Sequence, residues 1–143
     1  MNKALIVCIG NICRSPMAQA ILQSNLPNIQ VHSAGIGALV GHKADPQALN
    51  LMAERGLDIQ AHRAKQIDEE DCRSVDIILV MEQFHRKLIE HKFPFTLGKV
   101  YCLGHFDKID IPDPYQQDRA AFEFSLKLID QGIAAWMQRI KQF

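Results

Sequence analysis

A thiol and a guanidinium close the two ends of Cys8-Ile9-Gly10-Asn11-Ile12-Cys13-Arg14, and Ser15-Pro16 follow directly. The apolar run Ala4-Leu5-Ile6-Val7 precedes this segment and a helical pattern opens after it. That order predicts a strand ending at a thiol, a tight loop, and a helix N-terminus. The N–H groups of such a loop can converge on one point, where the helix dipole also favours an anion. The same positive field favours the thiolate of Cys8, the nucleophilic form. Arg14 adds a planar fork of donors that matches two oxygens of a phosphate. Gly10 and Asn11 are residue types that tolerate the left-handed backbone a tight cradle needs. Nucleophile, cradle and clamp together point to cysteine-dependent phosphate-ester cleavage.

Other residues have places in that chemistry. Ser15 is expected to cap the helix, with Pro16 at the first helical position, and to donate a hydrogen bond to the Cys8 sulfur. Cys13 sits within one loop of Cys8, where it can trap a sulfenylated Cys8 as a reversible disulfide. The leaving oxygen needs a proton, and Asp113 in Ile111-Pro112-Asp113-Pro114-Tyr115 is the expected acid. Asp110 and Asp107 are rivals on the same stretch. A second Asp-Pro pair, Asp45-Pro46, reads instead as a helix cap, because a helical stripe starts right after it. Tyr115 can wall a pocket for an aromatic ring. The six histidines are scattered and none is assigned as a base. Arg86, Lys87, Lys92 and the run Asp68-Glu69-Glu70-Asp71 read as solvated faces.

These residues need a scaffold. Residues 3–8 read as a buried strand, and Met17, Ala18, Ile21, Leu22 and Leu26 form a helical stripe that stops at Pro27. Residues 29–33 alternate as a short strand. A second helix runs from Asp45-Pro46 to Gly56. A short acidic helix is expected at 68–73 and an apolar strand at 76–80. A helix follows over Glu82–His91, with Phe84, Leu88 and Ile89 inward. Val100–Leu103 is a short strand, and 118–142 is a long amphipathic helix. Alternating strands and helices predict an α/β fold: a parallel sheet with helices on both faces and ligands at the carboxyl ends of its strands.

The 143 residues fit one domain, 1–143, with 48% hydrophobic and 22% charged residues. A formal net charge of zero gives no electrostatic footprint for nucleic acid. No apolar run approaches a membrane span, so no membrane insertion is expected. The N-terminal stretch faintly resembles a signal peptide but lacks a cleavage site. The four cysteines, Cys8, Cys13, Cys72 and Cys102, match neither a secreted disulfide framework nor a zinc pattern. The expectation is a cytoplasmic monomer without metal or cofactor.

The chain resembles the low-molecular-weight protein tyrosine phosphatases over essentially its whole length. The resemblance rests on Val7 through Pro16, on Ser33-Ala34-Gly35 and on Asp113-Pro114-Tyr115. It implies a four-stranded parallel sheet, Cys8 as nucleophile, Arg14 as phosphate clamp and Asp113 as general acid. It further implies a cysteinyl-phosphate intermediate and a loop of Ile9, Gly10, Asn11, Ile12 and Cys13, shaped by Asn11, Ser15, Ser33 and His62. Cys13 corresponds to a cysteine implicated in reversible oxidation. Two departures from many eukaryotic members stand out. Tyr115 is followed by Gln116 rather than a second aromatic residue, and Gly37-Ala38-Leu39-Val40-Gly41 places Leu39 where they carry an aromatic wall. Both resemble the bacterial subgroup paired with membrane tyrosine autokinases of capsule and exopolysaccharide export, which implies an autokinase tail as substrate. Two alternatives stand beside this reading. An arsenate reductase would need further closely placed cysteines, and Cys72 and Cys102 lie thirty residues apart. A phosphotyrosine-binding module would lack Cys8, Arg14 or Asp113.

Overall fold

The computed structural model describes residues 1–140. Its elements are β1 (Lys3–Cys8), α1 (Arg14–Asn25), β2 (Gln30–Gly35), α2 (Pro46–Glu54), α3 (Glu69–Ser74), β3 (Ile77–Val80), α4 (Gln83–Lys92), β4 (Val100–Cys102) and α5 (Arg119–Ile140). Short 3-10 turns lie at Pro94–Thr96 and His105–Asp107. The strands form one parallel sheet in the order β2-β1-β3-β4. The chain therefore reverses direction across the sheet beside β1, and a crevice opens at the carboxyl ends of the strands there.

Strand alternation divides the apolar residues between two faces. Ile6, Cys8, Leu79 and Leu103 pack with Met17, Leu22, Met52, Phe122, Ile129 and Trp136 from α1, α2 and α5. Leu5, Val7, Ile78, Val80, Val100 and Cys102 pack with Cys72, Val75, Ile89 and Phe93 on the opposite face, under α3 and α4. The two faces explain why β1 and β3 read as continuous apolar runs rather than alternating ones.

Most predicted elements stand within two residues of their expected bounds. Asp45 caps α2 by accepting from the Gln47 N–H at 2.9 Å, and Gly56 ends the turn with φ +76°. Asp68 caps α3 in the same manner. Three local readings change. Helix α1 begins at Arg14, with Cys13 at the N-cap and no side-chain cap bond, so neither Ser15 nor Pro16 has its expected place. In α4, Phe84 is exposed, and the inward position next to it belongs to His85. The left-handed residue of the first loop is Asn11 at φ 60°, while Gly10 has negative φ. The expected end of the last helix at residue 142 lies outside the described residues.

Candidate active site

The loop after β1 is built by tying its carbonyls outward. The carbonyl of Cys8 accepts from Ile36 N–H at 3.0 Å, that of Ile9 from Gly37 N–H at 3.0 Å and that of Gly10 from Leu39 N–H at 3.1 Å. The Asn11 carbonyl accepts from His62 Nε2 at 2.7 Å, and the Ile12 carbonyl from Asp45 N–H at 2.8 Å. With the carbonyls held by surrounding segments, the N–H groups of Ile9 through Cys13 donate to no protein acceptor among the described residues. A cavity of about 120 Å³ at the loop is lined by Cys8, Ile9, Gly10, Ile12, Cys13 and Arg14. Gly37, Leu39, Asp113 and Tyr115 line its walls. A row of free backbone donors at a helix N-terminus is an anion cradle.

Gly35 makes this closure possible. A Cβ there would lie 2.4 Å from the Ile9 carbonyl oxygen and 3.1 Å from Ala38 Cα. Only glycine lets the end of β2 pass this close to the loop.

A directed chain of hydrogen bonds leads to the Cys8 sulfur. Lys65 N–H donates to Asn11 Oδ1 at 2.9 Å, which fixes the orientation of the amide. Asn11 Nδ2 then donates to Ser15 Oγ at 2.7 Å and to Ser33 Oγ at 3.1 Å. Ser33 passes its own proton to Gln19 Oε1 at 2.6 Å. Ser15 Oγ, which accepts from Asn11, lies 2.9 Å from Cys8 Sγ and can donate to a thiolate there. That bond stabilises a thiolate over a thiol. Ser15 thus does not cap the helix, and its hydroxyl lies beside the Cys8 sulfur. His62 Nε2 donates to the Asn11 carbonyl, and burial chiefly lowers its pKa from the ordinary value, with the Asn11 bond opposing the shift.

Arg14 is 1% exposed and half committed. Its Nη1 donates to Glu82 Oε2 at 2.8 Å and to the Ile111 carbonyl at 2.7 Å. Among the described residues its Nε is buried without a partner, and Nη2 has only the Asp113 carboxylate at 3.7 Å. The protein thereby grips one corner of the guanidinium and leaves the Nε/Nη2 edge for a bidentate ligand. A buried donor left bare costs stability unless a ligand satisfies it.

Asp113 stands on the loop between β4 and α5, and its side chain is 43% exposed. Its Oδ1 accepts from Tyr115 N–H at 3.1 Å, which leaves Oδ2 on the side of Arg14. The loop is fastened by Ile111 N–H to the Met81 carbonyl at 2.9 Å and by Ser125 Oγ to the Pro112 carbonyl at 2.7 Å. The rival Asp110 accepts from Gln83 N–H at 3.1 Å at the start of α4. Asp107 is exposed and lies in the turn after β4. Neither rival lines the cavity. Tyr115 and Leu39 both line the cavity.

Every residue expected in the site from sequence is brought to this one place. Two that matter were missed: Glu82, which holds Arg14, and His85, whose Nε2 lies 3.1 Å from the same Glu82 oxygen. The signal for Glu82 was its position at the carboxyl end of β3, the strand beside β1. His85 follows it at i+3, one turn along the same helix face. Cys72 and Cys102 lie in the core on the far side of the sheet from Cys8 and Cys13, which removes the cysteine relay of an arsenate reductase. Burial raises the Cys13 thiol pKa well above its ordinary value, with Asp45 and Cys8 adding to the shift.

Known proteins share this arrangement. The family model for low molecular weight phosphotyrosine protein phosphatase matches residues 3–143. The relative from Ralstonia nicotianae named "Probable low molecular weight protein-tyrosine-phosphatase EpsP" is 48% identical over 137 residues, 96% of this chain and 94% of its own length. The low molecular weight protein-tyrosine-phosphatase Wzb of Escherichia coli strain K12 is 43% identical over 140 residues, 97% of this chain and 95% of its own. The solved structure of Vibrio vulnificus Wzb in complex with benzylphosphonate superposes with a TM-score of 0.93 at 40% identity. That superposition covers 96% of this chain and 98% of the other. With its anion loop, its half-committed arginine and these relatives along its length, this chain belongs to the low molecular weight phosphotyrosine protein phosphatase family, a family of hydrolases.

Proposed function

We propose that the chain hydrolyses protein phosphotyrosine in two steps through a cysteinyl-phosphate. In the first step the Cys8 thiolate attacks phosphorus. The P–O bond to the tyrosine ring breaks, and the leaving phenolate takes a proton from Asp113. In the second step a water attacks phosphorus, Asp113 takes its proton, the P–S bond breaks, and inorganic phosphate and the Cys8 thiolate are released. The Ile9–Cys13 N–H groups and the Nε/Nη2 edge of Arg14 bind the equatorial oxygens throughout, where positioned donors stabilise the developing charge. The observation that carries this reading is Arg14, which lines the same cavity as Cys8: Nη1 is held by Glu82 and Ile111, and Nε is buried without a partner among the described residues.

Specificity follows from depth. Cys8 is buried, while Leu39 and Tyr115, which line the same cavity, are more exposed. A phosphate on a long aromatic arm reaches that buried sulfur, and the ring packs between the walls. A seryl or threonyl stem is too short. The test is turnover of matched phosphotyrosine, phosphoserine and phosphothreonine peptides with and without chelator. The expected result is a strong phosphotyrosine preference that chelator does not touch. Equal rates on the three peptides, or loss of activity with chelator, would overturn it.

The tyrosine-rich cytoplasmic tail of a membrane tyrosine autokinase is the proposed physiological substrate. Support comes from Leu39 and from the single aromatic Tyr115 before Gln116, the features that resemble the bacterial subgroup. That substrate places the enzyme in the cytoplasm. Among the described residues no helix is long and apolar enough to cross a membrane. A monomer suffices, since one chain supplies every residue of the site. Retention of the phosphorylated tail by the Cys8→Ser variant, and its release by free phosphate, is the expected binding result. A tail that is neither bound nor dephosphorylated would remove this partner.

A further inference from the structure

We infer that His85 is a positioning residue for the phosphate-holding arginine and acts through Glu82. The inference rests on the reading of Arg14 as that clamp. His85 is 1% exposed on the inner face of α4, at a position an apolar residue would normally take. Its Nε2 is 3.1 Å from Glu82 Oε2, the oxygen that accepts from Arg14 Nη1 at 2.8 Å. A carboxylate only accepts, so Nε2 carries the proton. Nδ1 is buried without a partner. In the neutral ring Nδ1 is a bare lone pair, whereas in the cation it would be a buried, unpaired N–H.

The surroundings keep the ring neutral. Burial and then the charge of Arg14 lower its pKa, opposed by Glu82, Asp110 and Asp113. A neutral His85 orients the Glu82 carboxylate without competing as a second cation for its charge. Glu82 needs that orientation. It occupies the N-cap of α4 with extended backbone and makes no cap bond, and its side chain is one-third exposed. Two flexible carbons separate its carboxylate from the chain. Without the His85 donor the carboxylate has solvent-facing rotamers open to it. Arg14 Nη1 would then keep only the Ile111 carbonyl, and the Nε/Nη2 edge would lose its fixed angle to the cradle.

The test compares His85→Leu, His85→Gln and His85→Asn with the unaltered enzyme, each alone and in a Glu82→Gln background. Arg14→Lys is the control for the clamp. The readouts are kcat and KM for an aryl phosphate, the inhibition constant of inorganic phosphate, and thermal stability. Gln can place its amide N–H near the Nε2 position; Asn is too short. His85→Leu is expected to lower kcat and weaken phosphate inhibition about tenfold, the worth of one charge-assisted hydrogen bond. Gln should restore most of that loss and Asn should not. In the Glu82→Gln background all three should change little further, because His85 acts through Glu82. Should His85→Leu fail to fold, the Gln–Asn contrast decides alone. Equal kcat and phosphate inhibition in the Gln and Asn variants, or an undiminished loss in the Glu82→Gln background, would overturn the inference. Normal phosphate inhibition in Arg14→Lys would instead remove the clamp reading itself.

Discussion

Arg14→Lys separates charge from shape at the phosphate site. The structure gives the size of the effect. Arg14 uses Nη1 for Glu82 at 2.8 Å and for the Ile111 carbonyl at 2.7 Å, and offers Nε and Nη2 to the ligand. A lysine ammonium has three donors at one point and no planar edge. If it stays with Glu82 and Ile111, at most one donor remains for phosphate. One to two charge-assisted hydrogen bonds are then lost in the transition state, each worth ~1.5–3 kcal/mol. A loss of about 3–4 kcal/mol corresponds to a fall in kcat of roughly 10²–10³-fold. Because the ion pair with Glu82 survives, thermal stability should change little. The assay is steady-state hydrolysis of p-nitrophenyl phosphate alongside a thermal melt. A folded Arg14→Lys enzyme within threefold of normal kcat would refute the argument that the fork edge holds the phosphoryl group.

Asp113→Asn should lower kcat by roughly 10²–10⁴-fold, more for phenyl phosphate than for a better leaving group, and Asp110→Asn should not show that dependence; the reverse pattern would move the acid to Asp110. Gly35→Ala places a Cβ 2.4 Å from the Ile9 carbonyl, so the variant should lose at least ~2 kcal/mol in denaturant melts and much of its activity; normal stability would contradict the close packing of loop and strand. His62 and His85 have pKa values lowered below the ordinary 6.5, so the unfolded chain takes up protons first as pH falls. Stability is therefore full above about pH 6.5 and declines below it, and His62→Asn should flatten the decline; a melting temperature unchanged between about pH 7 and pH 5 would count against both buried rings. Mild peroxide should inactivate the enzyme reversibly through a Cys8–Cys13 disulfide and leave Cys72 and Cys102 reduced, since these lie across the sheet; peptide mapping of a different pair would refute it.

Much of the site was legible because its residues are local. Cys8 to Arg14 are consecutive, and the strand before them and the helix after them have plain periodic signals. The α/β architecture followed from alternating apolar runs in the same way. Asp113 is the preferred acid from its own context, with no helical stripe right after it and Tyr115 beside it, while Asp110 and Asp107 stay rivals because they share the same stretch of chain. What sequence could not give was the long-range holding of Arg14. Glu82 lies 68 residues away and Ile111 lies 97 residues away, and nothing in the local pattern of either names its partner. His85 was hidden for a different reason: a helical stripe read by hydrophobicity places Phe84 inward and passes over a histidine. Ser15 was half read. Its hydroxyl has the look of a cap, but in the fold it sits between the Asn11 amide and the Cys8 sulfur.

The central claim is covalent chemistry at Cys8, and the most direct measurement is acid-quenched mass spectrometry of Asp113→Asn during turnover of p-nitrophenyl phosphate. Loss of the base for the second step should let the intermediate accumulate. The expected result is a phosphoryl adduct that maps to Cys8 and is absent from the Cys8→Ser variant. A phosphoryl group on any other residue, or steady turnover by a Cys8→Ser enzyme free of contamination, would contradict it.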